Sequence, residues 1–291
     1  MQKTKLSTYV LLLFLSFLFS GCTTDDIVES NPQMVVEGWI ESGGNPYVRV
    51  TTTIPISKEY QSTDSLDRFL LESARVCVSD GTTTAVLRGV YSKRYTPSFI
   101  FSTDKIFGVP GRSYTLTVDY ENFHASAVTT IPEPVAVDSF RIEPVQGNDT
   151  LFHIRAFIHD TPTADNYYRF LVRDDEGRGS KEFLPAYLGV FSSSMIREGG
   201  VFVNQGRNNI AEEKTNSYFT CGEKVQFKLA HIDSEAYNFW RKFEDVASFS
   251  RVPTLSGDYT LPGNVTGALG YWFGYGVRAY SAEMPDYDSL R

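Results

Sequence analysis

From Met34 onward, apolar and polar residues alternate in short runs separated by turn formers. Met34-Val35-Val36-Glu37-Gly38-Trp39-Ile40 is followed by Ser42-Gly43-Gly44-Asn45-Pro46 and then by Tyr47-Val48-Arg49-Val50-Thr51-Thr52. Period two sends successive side chains to opposite faces of a strand, so the two runs predict a hairpin. Residues 74–79, closed by Asp80-Gly81, predict a further strand, and residues 85–87 and 98–101 are shorter candidates. Pro110-Gly111 introduces a strand over 114–118, with 124–130 as its expected partner. Asp64 is placed to cap a short helix running through Leu71. Strands at this spacing predict a sandwich of immunoglobulin-like or transthyretin-like type over residues 34–131.

Ile131-Pro132-Glu133-Pro134 reads as a domain boundary, because two prolines interrupt pairing and stiffen the chain. A second β-rich region is expected over 135–291, with strands at 139–143, 150–158, 167–173 and 225–230. Between them, residues 176–223 are rich in Gly, Ser and Asn and read as a long functional loop or as strands with a masked pattern. Asp233 is a good N-cap for a helix near 233–248, in which Ala236, Phe239, Trp240, Phe243 and Val246 or Ala247 fall on one packing face. Pro262-Gly263-Asn264-Val265 then turns the chain into the aromatic strand 269–277, whose glycines predict a bulge or close backbone approach. The expected fold is mainly β: two sandwich-like regions and one amphipathic helix in the C-terminal half.

The first 33 residues follow another pattern. Lys3 and Lys5 precede an apolar run from Tyr9 to Phe19, too short to span a bilayer comfortably and of the length of a signal peptide core. Phe19-Ser20-Gly21-Cys22 resembles the bacterial lipobox, with Phe19 departing from the usual Leu, Val or Ile. Residues 1–21 therefore read as a lipoprotein signal peptide, and Cys22 as the first mature residue and lipid attachment site. Each acyl methylene buried contributes about 0.8 kcal/mol, so a triacylated cysteine holds the chain on a membrane. Residues 22–33 form an acidic tether with Asp25, Asp26 and Glu29. That cluster resembles the signal that sends Bacteroidetes lipoproteins to the outer leaflet; a merely solvated tether is the alternative.

Charge narrows the partners. The net charge is −8, and there is no basic cluster, which argues against nucleic acid. Besides Cys22 only Cys77 and Cys221 remain, too few for a disulfide framework; two buried thiols are expected, with a bridge between them as the alternative. The chain has 21 Phe and 17 Tyr, residues that favour strands, while exposed tyrosines can stack on sugar rings or peptide side chains. No G-x-S-x-G elbow, phosphate-binding loop or H-E-x-x-H motif occurs. His153 and His159, six positions apart, would sit about 20 Å apart on a strand, too far to share a metal. Asp174-Asp175-Glu176 reads as a solvated turn. No metal or cofactor is expected. The best-defined candidate for ligand binding is the aromatic strand: Tyr271, Phe273 and Tyr275 share one face, and Trp272 the other.

Several motifs recur together: Val35-Val36-Glu37-Gly38-Trp39-Ile40 soon after a lipobox, Pro110-Gly111-Arg112-Ser113-Tyr114, Asn166-Tyr167-Tyr168-Arg169, and Gly263-Asn264-Val265 followed by Gly267-Ala268-Leu269-Gly270-Tyr271. In that order they resemble the Bacteroidetes lipoproteins of domain of unknown function family 4249. The resemblance implies an outer-membrane lipoprotein that accompanies a TonB-dependent transporter, and it supplies no catalytic residues. The expectation is a surface-exposed, non-enzymatic binding or accessory subunit in nutrient uptake, with a glycan or peptide ligand. A surface glycan hydrolase using two carboxylates, and an adhesin or structural scaffold, are the alternatives.

Overall fold

In the computed structural model, which describes residues 32–53, 63–160, 165–174, 182–206, 217–249 and 261–286, the chain is mainly β. The signal peptide, Cys22 and most of the acidic tether lie outside the described residues, as do Asp175 and Glu176. No helix among the described residues is long and apolar enough to cross a membrane.

Before Ile131 the strands are β1 (Met34–Glu41), β2 (Pro46–Thr52), β3 (Arg75–Ser79), β4 (Thr84–Val86), β5 (Arg88–Tyr91), β6 (Phe99–Ser102), β7 (Ser113–Tyr120) and β8 (Phe123–Thr130). After it come β9 (Ser139–Val145), β10 (Asn148–Phe157), β11 (Tyr167–Asp174), β12 (Leu184–Ser192), β13 (Val201–Val203), β14 (Phe219–Thr220) and β15 (Lys224–Ile232). Helix α1 (Ser234–Phe249) and β16 (Leu269–Glu283) complete the order.

Eight strands form one sheet in the order β12-β11-β15-β16-β1-β2-β6-β5. Its centre is β16. The first half of this strand pairs parallel with β1, from Val35 opposite Leu269 to Glu41 opposite Tyr275. The second half pairs antiparallel with β15, from His231 opposite Gly276 to Lys224 opposite Glu283. Two four-stranded sheets lie against it, β4-β3-β7-β8 and the set β9, β10, β13 and β14. One core is built from strands before Ile131 together with Trp272 of β16, the other from strands after it, and one continuous sheet runs through both.

Alternation along the strands decides which residues enter the cores. On β1, Met34, Val36 and Ile40 join Val48 and Val50 of β2 and Tyr114, Leu116 and Val118 of β7 in the first core. Tyr168, Phe170 and Val172 of β11 join Val225, Phe227 and Leu229 of β15 and Ile154 of β10 in the second. Even-numbered residues of β16 serve both, Trp272 in the first and Ala282 in the second. The odd-numbered Tyr271, Phe273 and Tyr275 face the other way, into a third cluster with Phe239 and Trp240 of α1. That helix starts where the sequence predicts, with the Asp233 carboxylate accepting from the Ala236 backbone N–H at 2.8 Å.

The glycines of β16 mark close approach, as expected. A Cβ at Gly276 would lie 2.3 Å from the Pro132 carbonyl oxygen, so the stretch after Ile131 lies along the sheet. His231 Nδ1 reaches the Glu133 carbonyl at 2.7 Å beside it. Gly270 has φ +111°, and a Cβ there would meet Val36 O at 1.9 Å. Asn264, in the turn before β16, supplies what a neighbouring strand would: its side-chain oxygen accepts from Trp272 N at 2.8 Å, and its amide donates to Trp272 O at 2.9 Å.

Several readings are sharpened, and a strand the pattern does not show is added. The stretch 176–223 carries β12, β13 and β14; a register shift in β12 and the shortness of β13 and β14 hide the period. Residues 63–69 form a 3-10 helix. Strand β5, exposed at all four positions, shows no alternation because it buries neither face. Cys77 and Cys221 are free thiols; Cys77 is buried as expected, whereas Cys221 is only half-buried.

Candidate functional site

The face of the large sheet that carries α1 is not fully covered. Positions that alternate out of the cores converge there: Glu37, Trp39 and Glu41 from β1, Tyr47 and Arg49 from β2, Arg169 and Leu171 from β11, Lys228 from β15, and Tyr271 and Tyr275 from β16. The register explains the convergence, since Glu37 stands opposite Tyr271 and Glu41 opposite Tyr275 across the parallel pair. Between β2 and α1 the face opens into a cavity of about 220 Å³. One wall is a cluster of rings: Trp39 stacks on Tyr47 at 5.6 Å, and Tyr95 leans on both, at 6.3 and 5.7 Å. Tyr271, Tyr275, Arg169 and Trp240 form the floor, and Glu182, Phe183 and Pro185, leading into and opening β12, close the far side.

Charge in this cavity is organised in pairs. Lys228 Nζ donates to Glu41 Oε2 at 2.6 Å and lies 4.1 Å from the centre of the Phe183 ring. Behind the lining, Arg49 donates to Glu37 Oε2 at 3.1 Å and stands 3.9 Å from Glu182. Burial works against the Arg49 charge, but Glu37 and Glu182 outweigh it and hold the guanidinium firmly protonated. Burial likewise raises the Glu182 carboxyl above its ordinary value, with Arg49 pulling back. The Tyr271 and Tyr275 hydroxyls are pushed up by burial and stay neutral, available as donors and acceptors.

Arg169 differs from the other cations. It is 3% exposed and stacks 3.5 Å over Trp240. Its Nη1 donates to the Tyr275 hydroxyl at 3.4 Å, an oxygen that also accepts from Trp240 Nε1 at 3.1 Å.

The four aromatic residues singled out in β16 separate by parity and by what covers them. Tyr271 and Tyr275 line the cavity. Phe273, on the same face, is fully buried under Phe239 of α1 at 5.5 Å between ring centres. Trp272 points into the first core and donates from Nε1 to Tyr114 O at 2.9 Å. Neither of the latter two reaches the cavity: the helix covers one and the opposing sheet the other. None of Trp39, Tyr47, Tyr95, Arg169, Glu182 and Lys228 is a binding candidate by sequence, though Trp39 and Arg169 stand within the family motifs. Two of them left a signal there. Arg169 interrupts the apolar run Tyr167 to Val172, and Trp39 falls on the polar parity of β1. Among the described residues, no group of three or more His, Cys, Asp or Glu side chains could hold a metal ion.

The fold and this site define a β-sandwich protein with a small aromatic, ion-paired cavity on a shared sheet. The chain matches the family described as Domain of unknown function (DUF4249) over residues 23–281, and it belongs to that family. No curated protein matches it. Among solved structures it is similar to one described as "Crystal structure of domains A168-A170 from titin", with 8% identity and a TM-score of 0.20 over 69% of this chain. The chain spans 60% of the length of that protein, and at that score the likeness says nothing about its role.

Proposed function

We propose that the protein is a non-enzymatic binding lipoprotein, anchored through Cys22 in the outer membrane, facing the cell exterior and acting as an accessory subunit of a TonB-dependent transporter in nutrient uptake. The observation that carries the binding role is the cavity: stacked rings on one wall, a buried guanidinium in the floor, and ion-paired carboxylates between. Convergent polar groups set among aromatic rings are the ordinary make-up of a ligand site. Sugar rings and peptide side chains both suit the Trp39, Tyr47 and Tyr95 surfaces. The anchor and the location rest on the lipobox and the acidic tether of the sequence.

A tagged pull-down from gently solubilised outer membranes tests the partnership. Stoichiometric recovery of a β-barrel transporter supports it. Recovery of the lipoprotein by itself, with uptake unchanged on deletion, ends it. A glycan hydrolase is the second reading, favoured by Glu182 and Glu41 lining one aromatic cavity with the Glu182 carboxyl raised by burial. Against it, Glu41 is tied to Lys228 and Glu182 lies near Arg49, the condition of structural carboxylates. Turnover of any member of a glycan panel that is lost in Glu182→Gln would establish the hydrolase.

A further inference from the structure

The cavity's cations are met unequally, and Arg169 is met least; Arg94, also in the lining, acts on Glu182. Lys228 has Glu41 at 2.6 Å, and Arg49 has Glu37 at 3.1 Å and Glu182 at 3.9 Å. Arg169 has no carboxylate of the described residues within 4.0 Å. Its Nε–H is buried with no acceptor, and its Nη1 has a neutral phenol at 3.4 Å. Glu244 and Arg169 feel each other's charge, and Glu244 also stands in an ion pair with Arg241 at 3.6 Å. A guanidinium carries five N–H donors in a planar fork and cannot shed its charge. The Trp240 ring covers one of its faces and makes no hydrogen bond with it. Removed from water with its donors this poorly met, the group lacks the planar oxyanion that its fork fits best.

Resting on the reading of this cavity as a ligand site, we infer that Arg169 receives a carboxylate, so that the ligand is the carboxylate-bearing end of a chain. A singly charged, planar group suits the site better than a phosphate dianion, which would meet Glu41 and Glu182 in the same small space. The volume of about 220 Å³ lies below the roughly 300–1,000 Å³ of sites that engulf drug-sized molecules. It admits one terminal residue, with the rest of the chain outside. Tyr271 and Tyr275 supply neutral hydroxyls beside the carboxylate, and the Trp39, Tyr47 and Tyr95 rings cover the attached residue. A uronic acid end and a peptide C-terminus both present this chemistry.

The test is calorimetric titration of the mature lipidated protein in detergent with four probes: galacturonic acid, galactose, glycylphenylalanine and its amide. One acid should bind at least tenfold more tightly than its neutral counterpart, and which pair shows the preference identifies the source as sugar or peptide. Arg169→Lys, which keeps the charge but loses the fork, should remove most of that preference. Because the acid-to-neutral ratio is read on the unmodified protein, the inference stays testable should the variant fail to fold. Equal binding of acid and neutral probes overturns the carboxylate while the cavity reading stands. Binding of none of the four overturns the inference. If Asn45→Trp, which blocks the cavity mouth, also leaves transporter-dependent growth unchanged, the cavity reading falls with it.

Discussion

The two faces of β16 are buried alike and built differently. On the even face, Trp272 is 0% exposed, its one polar group satisfied by the Tyr114 carbonyl. Aliphatic side chains such as Val36, Val48 and Leu116 complete that core. On the odd face, Tyr271 and Tyr275 are 9% and 3% exposed, yet they stand beside Arg169, Arg49 and ion-paired carboxylates. Burial by itself does not separate a packing core from a site. The separation comes from whether each desolvated polar group is met, because an unmet charge costs far more than an unmet methyl contact.

Four changes test this contrast. The largest effect is expected at Trp272, where Trp272→Ala opens a cavity in a closed apolar core and should cost about 3–5 kcal/mol in chemical denaturation, without a selective change in ligand binding. Lys228→Met should cost about 2 kcal/mol, less than a fully buried pair, since Lys228 and Glu41 retain 15% and 18% side-chain exposure and the stranded Glu41 regains some water. Tyr275→Phe removes the shared acceptor of Trp240 and Arg169 and should cost about 1–2 kcal/mol by thermal melting. A Tyr275→Phe loss as large as that of Trp272→Ala would erase the distinction between the faces.

The smallest effect is a pH slope. Burial, together with Glu37, raises the Glu182 carboxyl, so the folded chain holds that proton more tightly than the unfolded chain. Its favourable contribution is complete below the ordinary value near 4.5 and is lost as pH rises through the raised value. Glu244, raised by its own burial, acts in the same direction. Glu182→Gln should therefore flatten part of the fall in melting temperature above pH 4.5. A melting profile unchanged by the substitution would mean that Glu182 is not desolvated in solution.

Much of this architecture is legible before folding is considered. The hairpin of β1 and β2, the pairing of β7 with β8, the cap at Asp233 and the apolar stripe of α1 all follow from local rules, in which burial parity and side-chain geometry act within a few residues. The β12 to β14 region escapes them: the nine residues of β12 lose their alternation where its pairing with β11 shifts register, and β13 and β14, of three and two residues, are too short to carry a period. The same local rules place Tyr271 and Tyr275 together on one face of a strand, and they cannot say what lies over that face.

What only the tertiary structure decides is the parallel pairing of β1 with β16 and everything that depends on it. Strand parity determined in the sequence that Glu37, Trp39 and Glu41 would share a face, as would Tyr271, Phe273 and Tyr275. Joining those faces, and adding Arg169 from β11 and Lys228 from β15, depends on which strands become neighbours across more than half of the chain. Neighbour choice is set by the summed burial of two cores and by backbone approaches such as Gly270 to Val36. Those interactions act between residues far apart in sequence, where no local pattern records them.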